Sequence, residues 1–177
     1  MNDFLDLMLR PFIACLILTG IHAYLGLHVV QRGVIFVDLA LAQVAAFGAT
    51  VGLMWGWELH STQSYFLALS STLVGAIILA STRMEKPRVP QEAFIGIVYA
   101  LSAAASIMVL SRSPEGGEEL KSLLVGHLLF VDWPEIIKIT VIYSLVGLVH
   151  LLGRKQLLFI SAAPEEAISA GYRIKFW

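Results

Sequence analysis

The sequence predicts an all-α, polytopic membrane helix bundle of about five transmembrane helices plus a short re-entrant segment. Three observations carry this. Of 177 residues, 58% are apolar and only 14% charged, and the mean hydropathy of +0.79 is that of a membrane protein rather than of a water-soluble domain. The apolar residues are gathered into runs near the length that crosses a bilayer, about 20 residues. The charges nearly cancel, 12 Lys and Arg against 13 Asp and Glu, and no basic stripe with interleaved aromatics marks a nucleic-acid surface. Five spans consume about 100 residues, so residues 1–177 are expected to form one transmembrane domain without a separate soluble one.

The spans follow in order. Met1 to Arg10 places Asp3 and Asp6 before Arg10. That is not the basic n-region of a cleaved signal peptide, and none is expected. The first span is Pro11 to Val30, closed by Gln31-Arg32-Gly33. The second is Val34 to Trp57, closed by the polar Glu58 to Ser64. The third, Tyr65 to Thr82, precedes the two prolines of Arg83 to Glu92. The fourth, Ala93 to Leu110, runs into Pro114, Gly116 and Gly117, and the fifth is Pro134 to Leu152. Prolines and glycines in these gaps break helices. Leu123 to Val131 is too short to cross and reads as re-entrant or interfacial. Cys15, the single cysteine, excludes an internal disulfide framework and any CxxC motif, and is expected as a small buried hydrophobe.

Basic residues orient the bundle, since cytoplasmic loops are rich in Lys and Arg. With the 123–131 segment returning to its own side, Arg32, Arg83, Lys86, Arg88, Arg154, Lys155, Arg173 and Lys175 share one face. The other holds Arg10, Arg112 and Lys121. The richer face is expected to be cytoplasmic, which puts the N-terminus outside. Gly48, Gly52 and Gly56 recur every four residues in the second span, and Gly96 leads Ala100 and Ala104 in the fourth. Small residues at this spacing let helices approach closely in lipid, so these glycines are expected to pack helices, within the chain or at a subunit interface.

Polar groups inside spans are costly and mark function by default. Asp38, near the start of the second span, is the clearest, with helix capping as its alternative role. Of the five histidines, His22 is the most interior, at roughly the depth of Ala42 and Gln43. His28 and His150 lie near cytoplasmic ends, His60 in an outer loop and His127 in the re-entrant piece. No GxxxxGK[ST] phosphate loop occurs, so ATP hydrolysis would need a separate chain, and no HExxH or GxSxG supports an enzyme.

Four segments together resemble the permease subunits of the ABC importers for zinc, manganese or iron, the ABC type 3 family. Val29 to Gln43 is similar to that family's basic turn and Asp-bearing second helix. Gln91 to Ile97 resembles its acidic entry to an Ile-Gly helix. Leu124 to Leu129, with Trp133 shortly after, is like its Gly-Asn-Leu-Leu stretch, and Pro164 to Gly171 like its Asp-Pro-Glu-x-Ala-x-x-x-Gly segment. The resemblance implies a homodimeric or paired permease in the cytoplasmic (inner) membrane that carries a divalent metal ion as cargo, with no permanently bound cofactor. An extracytoplasmic metal-binding protein would feed it and a cytoplasmic ABC ATPase drive it, coupled through a short helix at residues 162–172, with Pro164, Glu165, Glu166, Ala167 and Gly171 as its contact residues. Proline and acids in a first turn suit a helix N-terminus.

Two departures qualify it. The family commonly places a His four residues after the Asp, where Ala42 stands here, and the polar residue is Gln43. Five residues advance a helix by about 500°, leaving Asp38 and Gln43 about 140° apart. Asp38 to Gly48 is also one residue longer than the family pattern, and a π-bulge there would bring Gln43 back toward the pathway. An amide in place of imidazole favours harder ions, manganese or iron over zinc, unless His22 supplies nitrogen. The family also continues well beyond Arg173 to Trp177, so a truncated or split permease is expected. The alternative classes are a non-transporting assembly or regulatory subunit and a redox protein binding haem through His22, His28 or His150.

Overall fold

The structure, a computed structural model, describes residues 2–59, 61–82, 89–112, 118 and 131–172. His60, the re-entrant segment to residue 130 with His127, residues 83–88 with the basic Arg83, Lys86 and Arg88, and the C-terminal 173–177 lie outside the described residues. Six helices are described: α1 (Asn2–Arg32), α2 (Val37–Met54), α3 (Thr62–Ser81), α4 (Gln91–Leu110), α5 (Trp133–Ala162) and α6 (Pro164–Ser169). Five are long and apolar enough to cross a membrane. Helices are the open-chain solution there, because lipid offers backbone groups no partner.

The boundaries follow local chemistry. Helix α1 begins nine residues before its expected start and carries Pro11 internally, at the cost of one ladder bond. It ends where Gly33 takes φ +62°, a conformation that favours glycine. Helix α3 starts at Ser61, whose hydroxyl accepts from Ser64 N at 3.2 Å. Helix α5 starts at Asp132, whose carboxylate accepts from Glu135 N at 2.9 Å, with Pro134 in its first turn. It runs ten residues past the expected Leu152, since Gly153-Arg154-Lys155-Gln156 contains no strong breaker and the next proline is Pro164.

The chain packs as two compact units, Val34–Gly126 and Met1–Gly33 with His127–Trp177. In the first, α2 packs on α3 and α4 around Ala40, Leu79 and Ile95, bordered by Val34, Val37, Leu41 and Val98. Two glycines make this possible. A Cβ on Gly48 would lie 2.5 Å from Ser71 Oγ and 3.0 Å from the Ala68 Cα, and one on Gly52 would lie 2.7 Å from Ser64 Oγ. The α2 ridge therefore packs within the chain.

The other two expected packing glycines behave differently. Gly56 lies outside the helix, in a turn at φ +78°, and a Cβ added there would meet nothing within 4 Å; Gly96 likewise faces open space. Spacing identifies small residues but not which face meets a neighbour.

In the second unit α1 and α5 run parallel, the directions expected of the first and fifth spans. Contacts progress from Ala14 with Ile136, through Ile21 with Gly147 at 3.6 Å, to Arg32 with Ser161. Cys15 corrects its expectation: it is exposed on α1 beside the buried Ala14, because one helical step turns it about 100° away from α5.

Candidate functional site

Asp38 stands in the first turn of α2, where the helix dipole favours an anion. It is not the cap: Phe36 is the N-cap residue, and no side-chain cap hydrogen bond is made. Asp38 is exposed. The buried residues Ala40, Val44 and Gly48 face α3 and α4, so Asp38 and the exposed Ala42, only about 40° further round, lie on the face these helices leave open.

The expected π-bulge is absent. Val37–Met54 is α-helix throughout, held by close glycine contacts that need a regular register. Gln43 is half-buried and stays about 140° from Asp38, so the two cannot grip one ion from this helix. His22 belongs to the other unit: its Nδ1 bonds Leu18 O at 2.8 Å. Its ring meets Tyr143 edge-on at 5.6 Å, lining an open hollow with Leu18 and Thr19. Among the described residues no three His, Cys, Asp or Glu side chains are grouped to hold a metal. Another acid, Glu92, sits in the first turn of α4 with both carboxylate oxygens shielded and without a hydrogen-bond partner.

Within residues 162–172, Pro164–Ser169 form a short helix. Ala163 breaks α5 at φ −138°, Pro164 opens α6, and Glu165 and Glu166 occupy its first turn. Gly171, at φ +86°, closes it. Gly171 N donates to Ile168 O at 2.9 Å and Tyr172 N to Ala167 O at 3.0 Å, a Schellman closure that satisfies carbonyls at the helix end. Ala167 is fully buried, and Tyr172 packs edge-on against Phe159 of α5 at 5.9 Å. Each of the five residues singled out here has a local part in forming this helix and seating it on α5.

The polar arrangement that residue reading missed, centred on Ser161, joins α1 to the end of α5. Ser161 Oγ accepts from Arg32 Nε at 3.2 Å and bonds His28 Nδ1 at 2.8 Å. Tyr24, His28 and His150 form a ring cluster beside it, at centroid separations of 5.1, 5.8 and 6.4 Å. Ser161 carries no spacing signal, since its partners are 129 and 133 residues away.

These features define a polytopic helical membrane protein with an acid at the open face of one span and a capped helical foot after another. The chain belongs to the ABC 3 transport family, which it matches over residues 4–177. It is 24% identical over 156 residues to a manganese transport system membrane protein, MntC, of Listeria monocytogenes, covering 86% of this chain and 52% of that one. It is 22% identical over 177 residues to a probable iron transport system membrane protein of Haemophilus influenzae, covering 97% and 60%. Its fold is similar to PsaBC from Streptococcus pneumoniae in complex with Fab, at TM-score 0.72 and 18% identity, over 99% of this chain and 62% of that one. The chain thus spans a little over half the length of these relatives.

Proposed function

We propose that this chain is the permease subunit, or a part of one, of an ABC importer that moves a divalent transition metal ion across the cytoplasmic membrane. The family match over residues 4–177 carries the reading. It favours a transporter over an assembly subunit or a haem protein. Asp38 supports it as the pathway ligand, being an acid in an apolar span, used neither as a cap nor, among the described residues, as part of an ion cluster. Manganese or iron is the proposed cargo in preference to zinc: two similar proteins are described as manganese and iron transport membrane proteins, and Ala42 with Gln43 offers no imidazole beside Asp38.

Glu165 and Glu166, exposed on α6, are the proposed contact with a cytoplasmic ATPase. An extracytoplasmic metal-binding protein and a second permease copy or half complete the proposed assembly, with the N-terminus outside. In cells supplying those partners, Asp38→Asn is expected to bring manganese or iron accumulation to background at unchanged membrane levels of the chain. Unchanged accumulation would remove Asp38 from the pathway. Glu165→Lys with Glu166→Lys is expected to abolish co-purification of the ATPase; its persistence would remove that contact.

A further inference from the structure

We infer that Ser161 is the joint that passes displacement of α6 to the C-terminal end of α1. The inference rests on the reading of α6 as the ATPase contact, and its physical basis lies in the polar clamp itself. Helix α6 is closely tied to the end of α5. One residue, Ala163, separates them; Ala163 N donates to Phe159 O at 2.9 Å, and Ala167 N to Ala163 O at 3.0 Å. The buried Ala167 and the Phe159–Tyr172 ring pair hold the two together from the side.

The end of α5 is held in turn by α1. Ser161 is only 3% exposed, and its single hydroxyl serves two residues of α1 that are one helical turn apart. With the His28 lone pair on Nδ1, the oxygen accepts from Arg32 Nε and its hydrogen goes to His28 Nδ1. A buried hydroxyl satisfied from two sides has no equivalent alternative position, since a shift leaves buried polar groups unmatched. The other α1–α5 contacts named above are two apolar pairs and the ring contacts of His22, Tyr24, His28, Tyr143 and His150, which constrain axial position less sharply than a hydrogen bond does. Ser161 therefore fixes the axial register at this end.

The recipient matters as much as the clamp. Arg32 is the last residue of α1, and the next, Gly33, sits at φ +62° at the chain boundary between the α1–α5 unit and the unit that begins at Val34. Four residues later α2 begins, with Asp38 in its first turn. A pull on Arg32 thus acts on the glycine turn that leads into the Asp38 helix. Ser161 would position this turn without touching the transported ion.

Hydrogen exchange of the full chain in lipid nanodiscs tests the joint without any partner. Ser161→Ala is expected to speed exchange about tenfold in residues 28–33 as well as 159–163, and Ser161→Thr, which keeps the hydroxyl, to restore protection. Arg32→Lys keeps the charge but loses the Nε donor and is expected to shift both segments in the same sense, about threefold. Unchanged exchange at 28–33 in Ser161→Ala and Arg32→Lys overturns the joint. In the assembled importer, Ser161→Ala is expected to retain the ATPase and its ATP hydrolysis while metal uptake falls about tenfold. Loss of ATPase binding together with uptake would make Ser161 a mere support of α6 and overturn its relay role. If the unmodified chain captures no ATPase, the importer reading fails, and the exchange data alone decide the clamp.

Discussion

Helices α2 to α4 and the α1–α5 pair are about equally apolar, yet they pack differently. The best windows of α2, α3 and α4 have hydropathies of 1.6, 1.7 and 2.2, against 1.9 and 2.0 for α1 and α5. One third of the α2 window is buried inside the chain, but only 6% of α1 or α5. Apolarity places a helix in lipid and says little about which neighbour it meets, because lipid tails are as apolar as leucine. What differs is surface relief. Gly48 and Gly52 are opposed by Ser71 and Ser64, so backbones close in, while Gly20 and Gly26 of α1 have nothing within 4 Å. A glycine ridge is a packing device only where a complementary ridge faces it.

The sharpest way to break this comparison is to fill the glycines on both sides. Gly48→Val puts a branched side chain against Ser71 and the Ala68 backbone and is expected to cost about 3 kcal/mol, the upper range for overpacking. Gly26→Ala has room and is expected to be neutral or to gain up to about 1 kcal/mol of helix propensity. Detergent-denaturation midpoints of the reconstituted chain measure both, and equal shifts would erase the distinction between the units.

A smaller effect is expected at the helical foot. Gly171→Ala forces a side chain into a left-handed conformation and is expected to cost about 1–2 kcal/mol, read as faster exchange of the Gly171 and Tyr172 amides. Because α6 packs chiefly on α5, helices α2–α4 should keep their protection; a change there would contradict the division into units. The smallest is Asp132→Ala, which removes the α5 cap at about 1 kcal/mol. Faster exchange confined to the first turn of α5 is its expected sign.

Much of the fold was legible because its signals are local. Five apolar runs stand between breakers, and Pro164 with two acids begins a helix and Gly171 ends it, as capping chemistry requires. The misses also have local causes. Helix α5 outran its hydropathy because Arg154 and Lys155 end an apolar run without ending a helix, their long side chains being good helix formers. The bulge expected between Asp38 and Gly48 rested on a register borrowed from the family resemblance, and a continuous α-helix accommodates these residues without it.

The candidate site was legible in its residue types more than in its arrangement. Asp38 stood out because a carboxylate within an apolar span is costly. That it caps nothing, that Gln43 stays on another face and that His22 is bonded to its own helix depend on packing and rotamer. Ser161 gave no signal at all, since a serine near a helix end is ordinary until a histidine and an arginine from more than a hundred residues away close on it.

By itself, the sequence determined that this is a helical membrane chain, where its spans lie, and that a short capped helix follows the last of them, for these depend on hydropathy and on interactions within a few residues. Only the tertiary structure decided which glycines are contacts and which are bystanders, which face Asp38 occupies, and that the end of α5 is held to α1 through one buried hydroxyl. Those features require two distant surfaces to meet, and the free energy of meeting depends on shape and hydrogen-bond geometry that no single segment contains.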